Sequence, residues 1–285
     1  MDTSMLDERG SIDGMDIPSD DLACILCGNG GPLGPEHIWP TWYSNMRRGL
    51  KFGFDGTIAG KPHTTRRVQK FDLAPEVLCY PCNNEWGSRL EVAASRLLKP
   101  MIDGKVQTLS GPSLATLARW ATLKFMVSEY LSEDRSTFHS TEDRSYLRRR
   151  NRPPAGTTLW IGRYVGDFHL AGRYDDRRTE LSLSTDDSEL VMAWAAQLTI
   201  GQVVIQLFAL GDHDRISQLP GLQVQQSRAD WGASMYQLWP VPERPYNWPP
   251  PRALDDAGFK ALSHRWDQVG EDDLAGAATP QRSRS

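Results

Sequence analysis

Two Cys-x-x-Cys pairs, Cys24 with Cys27 and Cys79 with Cys82, constrain the fold of this chain more than any other feature of its sequence. They contain all four cysteines of the 285 residues. Each pair can place two thiolates on one side of a metal ion, and four thiolates make the tetrahedral site that structural Zn²⁺ prefers. A thioredoxin-like redox motif would need a surrounding βαβ pattern, which the sequence lacks. We therefore expect one structural Zn²⁺ that closes a long loop between the two pairs.

A carboxylate and a histidine lie inside this loop, in a five-residue segment that begins with Glu36-His37 and ends at Pro40, and Asn83 follows Cys82 directly. On a strand, neighbouring side chains point to opposite faces, so one of the pair could ligate a metal while the other faces a substrate water. Phosphodiester hydrolysis needs a hard cation on the phosphate and a neutral imidazole that takes a proton from water. An acidic residue beside a histidine is by itself an ordinary surface pair. Its position between two cysteine pairs makes it a candidate site.

The order of these motifs resembles that of the HNH, or ββα-metal, endonuclease superfamily. The short form of that superfamily reads Cys-x-x-Cys, then Asp or Glu followed by His-Ile/Val-x-Pro, then Cys-x-x-Cys followed at once by His or Asn. This sequence reads Cys24-x-x-Cys27, Glu36-His37-Ile38-Trp39-Pro40 and Cys79-x-x-Cys82-Asn83. The resemblance covers about residues 22–100, and it predicts a ββα-metal finger there.

The resemblance implies a role for each of these positions. His37 would be the general base that activates water. Glu36 and Asn83 would ligate a catalytic Mg²⁺ or Mn²⁺, because an acid and an amide oxygen suit a hard cation. The four cysteines would hold the structural Zn²⁺ behind the finger. The sequence has no clear match for the central asparagine that usually orients the histidine, so a backbone carbonyl, or a side chain from elsewhere in the chain, would have to orient His37.

A basic segment between residues 47 and 70 is the predicted contact with nucleic acid. Its seven basic residues are Arg47, Arg48, Lys51, Lys61, Arg66, Arg67 and Lys70. Lys and Arg could contact phosphates, while Phe52 and Phe54 could stack on exposed bases. The alternative is a solvated, charged insert without a ligand. The net charge of the whole chain is −4, so no global basic field supports nucleic-acid binding.

Composition and hydrophobic patterning, together with what the resemblance implies for 22–100, predict an α+β fold with folded parts between two disordered ends. The predicted parts are an acidic, disordered N-terminus (1–21), the ββα-metal zinc module (22–100), a helical connector with a basic linker (101–152), a C-terminal α+β domain with an antiparallel sheet (153–266) and a disordered tail (267–285). The N-terminus is too acidic and polar for a secretory signal.

Apolar periodicity locates the main elements within these parts. One helix is expected to begin near Asn83 and to end at Pro100, and another to cover 113–131 with Ser113 as its N-cap. A tight hairpin is expected at Ile200-Gly201, between two apolar runs. A short helix is expected within 253–266. The predicted strands are 157–165, 167–174, 179–184, 192–199, 202–210 and 234–240.

The predicted function is a metal-dependent HNH-type endonuclease that hydrolyses nucleic-acid phosphodiesters, with DNA as the expected substrate. No stretch is long and apolar enough to span a bilayer, so no membrane partner is expected. Reduced cysteine pairs fit a cytoplasmic protein. The sequence leaves open whether two copies form a homodimer. Two other functions stay open, namely a catalytically inactive zinc-finger module that binds nucleic acid and a zinc-stapled protein-interaction protein.

Overall fold

The structure, a computed structural model, describes residues 23–46, 52–58, 61–68, 73–131, 137–167, 172–182, 190–211 and 233–264. For 52–58, 61–68, 172–182, 190–191 and 263–264 it describes the backbone alone. The predicted disordered ends, 1–21 and 267–285, lie outside the described residues. Among the helices of the described ranges, none is long and apolar enough to cross a membrane.

The described elements alternate helices with short and long strands, which confirms the predicted α+β class. The helices are α1 (Thr41–Met46), a π-helix (Pro81–Gly87), α2 (Ser88–Ile102), α3 (Gly111–Ser128) with a 3-10 turn (Glu129–Leu131), α4 (Thr141–Arg150) and α5 (Asp256–His264). The strands before α3 are β1 (Leu33–Pro35), β2 (Phe52–Ile58), β3 (Lys61–Val68), β4 (Glu76–Cys79) and β5 (Gln107–Leu109). The later strands are β6 (Thr157–Tyr164), β7 (Gly172–Ser182), β8 (Leu190–Ile200), β9 (Val203–Leu210), β10 (Met235–Trp239), β11 (Tyr246–Trp248) and β12 (Ala253–Leu254).

The cysteine module is a two-stranded antiparallel sheet followed by a helix. Strand β1 pairs with β4, with Leu33 opposite Cys79. The chain then passes through the π-helix into α2 without a break. The β2–β3 hairpin is inserted between the two paired strands. The order strand, strand, helix is therefore present, with a long insert between the strands.

A six-stranded sheet forms the other half of the fold. Its order is β10-β6-β9-β8-β7, and β12 pairs with β6 as the one parallel neighbour among the described strands. Strands β8 and β9 form the predicted tight hairpin, in which Ile200 pairs with Val203. Gly201 has a positive φ of 56°, which a residue without a side chain adopts at little cost. All eight residues of β9 are buried, since helices cover both faces of the sheet.

One face of this sheet shares its apolar core with the cysteine module. The buried cluster runs from Cys24 through α2 and α3 to Leu207 on β9. Trp39 ties the two halves directly, because its indole N–H donates to the Thr199 carbonyl at 2.9 Å. The other face packs on α5 in a smaller cluster that includes Phe259. The core thus crosses the predicted boundaries at 100 and 153, and the division into independent domains stays a prediction.

Two predicted helix ends are wrong, and burial explains both. Helix α2 continues past Pro100 to Ile102, because Met101 and Ile102 are almost fully buried and their packing offsets one missing backbone hydrogen bond. Helix α3 has its N-cap at Ser110 rather than Ser113. Pro112 lies in its first turn, where no N–H is needed.

The predicted strands 167–174 and 179–184 prove to be parts of one strand, β7. Its register with β8 shifts between Asp175 and Thr179, which indicates a bulge there. A bulge breaks the alternation of side chains along a strand, so one long strand has the sequence pattern of two short ones. The helix predicted within 253–266 is confirmed, and it begins at Asp256.

Candidate metal centre

The four cysteine sulfur atoms lie together, as the two pairs predict. The Sγ atoms of Cys24, Cys27, Cys79 and Cys82 are all within 4.8 Å of one another. Those of Cys27 and Cys79 are 3.6 Å apart. Sulfur atoms on a tetrahedral zinc with bonds of about 2.3 Å would be about 3.8 Å apart. The cluster could therefore hold a metal ion such as zinc, and the sulfur donors and their spacing fit that ion.

Local backbone geometry forms the first cysteine knuckle. The Gly28 N–H donates to the Cys24 carbonyl at 2.8 Å, and Gly28 takes a positive φ of 72° that glycine favours. The Ile25 N–H donates to the Val77 carbonyl at 3.1 Å, which docks the knuckle on β4. Leu26 is fully buried. The apolar residues between the first two cysteines thus hold their thiols toward the second pair.

The thiols differ in how readily they ionise. Burial raises the pKa of Cys24, but backbone hydrogen bonds from Cys79, Leu26 and Cys27 more than offset it and lower the pKa. Burial raises the pKa of Cys82 strongly, and the negative charge of Cys24 adds to this. Burial also raises the pKa of Cys79. Thiols held as protonated groups must give up protons to a metal, so metal binding here would release protons.

Asn83 lies beside the segment that carries the candidate acid and base. Its side-chain N–H donates to the Pro35 carbonyl at 2.9 Å, and Glu36 and His37 are the next two residues. Since a carbonyl can only accept, the amide nitrogen is assigned to this contact, and the oxygen Oδ1 is turned elsewhere. A Cβ at Gly87, the last residue of the π-helix, would lie 2.9 Å from the Cys82 carbonyl oxygen, so this close packing favours glycine there. The Asn83 side chain therefore lies beside the backbone of the segment that carries Glu36 and His37, at one edge of the cysteine module.

A buried lysine that the sequence analysis missed meets the same segment from α3. The Lys124 ammonium lies 2.5 Å from Glu36 Oε1 and 3.0 Å from Glu91 Oε2. It also donates to the His37 backbone carbonyl at 2.8 Å. The Lys124 side chain is only 2% exposed. A lysine within an apolar helix face is the one sequence signal for such a partner, and it does not tell which acids are near.

Glu91 on α2 completes this charge network. Its carboxylate accepts from the indole N–H of Trp42 at 2.7 Å and of Trp120 at 2.8 Å. Burial raises the pKa of Glu91, but the Lys124 charge and the indole hydrogen bonds more than offset it and lower the pKa. Burial lowers the pKa of Lys124, but Glu91 and then Glu36 offset this and raise it. One ammonium is thus shared by two carboxylates, so the group carries a net negative charge.

The predicted basic segment is described only in part. Lys61, Arg66 and Arg67 belong to β3, of which only the backbone is described. Arg47, Arg48, Lys51 and Lys70 lie outside the described residues. Their contact with nucleic acid stays a prediction.

A second group of arginines lies next to the cysteine module, at the end of α4. The Arg148 guanidinium stacks over the Trp86 ring at 5.5 Å, three residues along the π-helix from Asn83. Arg149 and Arg150 follow and are exposed. Arg152 stacks over Tyr146 at 5.4 Å. Positive charge therefore lies close to the helix that carries Asn83.

No protein-family model, no curated protein and no solved structure matches this chain.

Proposed function

We propose that this chain is a metal-dependent endonuclease that hydrolyses phosphodiester bonds in nucleic acid, with DNA as the expected substrate. The observation that supports this most is the hydrogen bond from Asn83 to Pro35, next to Glu36 and His37. It places the Asn83 side chain against the backbone of the residue before Glu36 and His37, on a strand-strand-helix unit that also carries the four clustered cysteines.

Two residues would hold the catalytic cation at this edge. Glu36 offers a carboxylate, and Asn83 offers the amide oxygen that its contact with Pro35 leaves over. Oxygen donors of this kind suit Mg²⁺ or Mn²⁺ better than the thiolate cluster would. When bound, such a cation would withdraw charge from the scissile phosphate and from the 3′-leaving oxygen.

His37 would act as the general base. The residue is half-buried, and its backbone carbonyl accepts a hydrogen bond from Lys124. A neutral ring nitrogen would take one proton from a water molecule as the water oxygen bonds to phosphorus. The bond from phosphorus to the 3′ oxygen then breaks, and that oxygen gains a proton from solvent. The imidazolium returns its proton to solvent before the next cycle.

Arginines at the end of α4 could hold the substrate backbone beside this edge. Arg148 lies against Trp86, three residues after Asn83, and Arg149 and Arg150 are exposed. Contacts of this kind neutralise phosphates and position the strand, but they do not read its sequence.

The proposal is tested by cleavage of plasmid DNA, single-stranded DNA and RNA in Mg²⁺, in Mn²⁺ and in EDTA. The wild-type chain should cleave with either cation and not with EDTA. His37→Ala and Asn83→Ala should retain zinc and lose cleavage. Asn84→Ala is the matched control, since Asn84 is an exposed amide one residue further on, and it should cleave like the wild type. Wild-type rates from His37→Ala would refute the assigned base.

One observation favours a second function, an inactive zinc-finger module that binds nucleic acid. The Glu36 carboxylate is already paired with Lys124, which weakens its attraction for a cation. Such a module would bind nucleic acid with a steep salt dependence and would cleave none of the three substrates. Binding without cleavage by the zinc-loaded wild type would favour it.

A further inference from the structure

A cavity of about 220 Å³ lies at one end of the six-stranded sheet, where β6 begins and where β9 and β10 end. Helix α4 contributes Tyr146 to its lining, and the turn after α4 contributes Arg152 and two prolines. All the described residues that line it come after residue 145, so the cavity is separate from the cysteine cluster. It is therefore a second concave site in this fold.

The lining of the cavity is mostly aromatic and apolar. Trp239 on β10 and Tyr146 on α4 both line it, and both are half-buried. Pro153, Pro154 and Leu210 are buried residues of the same lining. An apolar cavity of about 150 Å³ admits one benzene ring, whereas drug-sized ligands occupy roughly 300 Å³ or more. The cavity thus has room for one flat ring system.

Arg152 is the one charged residue among the described residues that line the cavity. Its Nε–H donates to the Tyr146 hydroxyl at 2.7 Å, and its guanidinium lies 5.4 Å from the centre of the Tyr146 ring. These two contacts hold the exposed guanidinium at the cavity. They use one of its five N–H groups, and no carboxylate of the described ranges pairs with it. A guanidinium placed in this way favours an anionic ligand, and its planar fork matches a phosphate.

Positive charge continues from the cavity along α4. Arg149 and Arg150 follow Tyr146 by three and four residues, so they lie one turn further along the same side of the helix. Both are exposed. Arg149 pairs with Glu142, while Arg150 has no ion pair within the described part of the chain. A ligand that fits both features has a flat ring and phosphates on either side of it.

We propose that this cavity binds one unpaired base of a single-stranded nucleic acid, with the base packed against Trp239 and Tyr146 and a flanking phosphate on Arg152. Aromatic side chains beside a basic surface are the combination that binds single strands without reading their sequence. In a duplex both faces of each base are already stacked, so a duplex cannot use the cavity in this way. The proposal concerns binding and goes beyond the proposed cleavage, on which it does not depend.

The test measures binding of labelled oligonucleotides by fluorescence anisotropy over a series of salt concentrations. The ligands are a single strand of thymidine, a strand of equal length that lacks its bases, and a duplex. The full, zinc-loaded chain is used without added Mg²⁺ or Mn²⁺, as wild type, Trp239→Leu, Tyr146→Leu, Arg152→Gln and Arg252→Gln. Thermal unfolding checks that each variant is folded.

The aromatic variants and the charge variants should have different effects. Trp239→Leu and Tyr146→Leu should bind the thymidine strand about 5- to 150-fold more weakly, as expected for one lost base stack, and should bind the strand without bases like the wild type. Arg152→Gln should lower the salt slope by about 0.7 for both strands. Arg252 is an exposed arginine before β12, which pairs with the opposite end of β6, about 20 Å away, so Arg252→Gln is the matched control and should match the wild type.

Four results would overturn the proposal. They are wild-type affinity in both folded aromatic variants, equal losses on the strands with and without bases, tighter binding of the duplex than of the single strand, and no binding of the single strand by the wild type. If Trp239→Leu does not fold, Tyr146→Leu decides, because Tyr146 is a partly exposed residue on α4. An equal change of salt slope in Arg252→Gln would also refute the assigned phosphate contact.

These outcomes are distinct from those that test cleavage. A wild-type chain that binds the single strand as described and cleaves nothing refutes the proposed nuclease function and supports the cavity as a base-binding site. A wild-type chain that cleaves, with unchanged affinity in Trp239→Leu and Tyr146→Leu, refutes the cavity alone.

Discussion

Removing one zinc ligand should lower the free energy of unfolding of this chain, and the structure indicates by how much. Cys27 and Cys79 are 52 residues apart in sequence and 3.6 Å apart at sulfur. A metal that joins them closes a loop of that length. The predicted perturbation is Cys79→Ser, which removes a thiolate from the centre of the site and changes the volume little.

The magnitude follows from the entropy of closing that loop. In the chain-entropy model for a covalent cross-link, a loop of this length stabilises the folded state by about 4 kcal/mol. A metal ion bound by both cysteine pairs closes the loop in the same way, so zinc removal should lower the free energy of unfolding by roughly this amount. Direct interactions of the metal with its ligands would add to it.

The assay is chemical unfolding of wild type and Cys79→Ser, each with zinc and with EDTA. With zinc, Cys79→Ser should be less stable by up to about 4 kcal/mol, and the full loss applies where the three remaining thiolates no longer hold the metal. With EDTA, the two proteins should agree to within about 1 kcal/mol, because only the metal distinguishes them. Tyr80→Ala, at an exposed position between the second pair, is the control and should match wild type in both buffers. A wild-type chain whose midpoint is unchanged by EDTA would refute the reasoning.

Three further perturbations test other parts of the structure. The pKa of Glu91 is lowered and that of Lys124 is raised, so their pairing stabilises the folded state fully between about pH 4.5 and pH 10.5. This stabilisation is lost as pH falls through the folded pKa of Glu91, and again as pH rises through that of Lys124. Glu91→Gln should therefore flatten the acid side of a plot of unfolding midpoint against pH. Gly87→Ala should destabilise by about 1–3 kcal/mol in thermal unfolding, since its Cβ would press on the Cys82 carbonyl, whereas the exposed neighbour Ser88→Ala should not. Arg150→Ala should reduce the salt slope of nucleic-acid binding by about 1, and an unchanged slope would exclude a phosphate contact there.

Short motifs predicted the cysteine cluster because the chemistry of thiolates leaves few alternatives. Four cysteines in two Cys-x-x-Cys pairs specify their own neighbours, and the Sγ atoms do lie together. The hairpin at Gly201 was also predictable, since a glycine between two apolar runs marks a tight turn, and this glycine does take a positive φ. In both cases the information lies within a few residues of the feature.

Long-range contacts could not be predicted in the same way. Lys124 and Glu36 are 88 residues apart, and nothing local to either one names the other. The end of α2 was misplaced for a related reason, because burial of Met101 and Ile102 against the core outweighs the proline before them. Pairing and packing across the chain, rather than local propensity, decide these positions.

One experiment tests most directly the proposal that a structural zinc stabilises the fold and that a second divalent cation supports cleavage. Zinc-loaded protein is freed of other divalent ions, its zinc content is measured, and cleavage is followed before and after addition of Mg²⁺. We expect one zinc per chain throughout, no cleavage before Mg²⁺ is added, and cleavage afterwards that His37→Ala lacks. Cleavage by the zinc-loaded chain without Mg²⁺, or none by the wild type on DNA or RNA after Mg²⁺ is added, would contradict it.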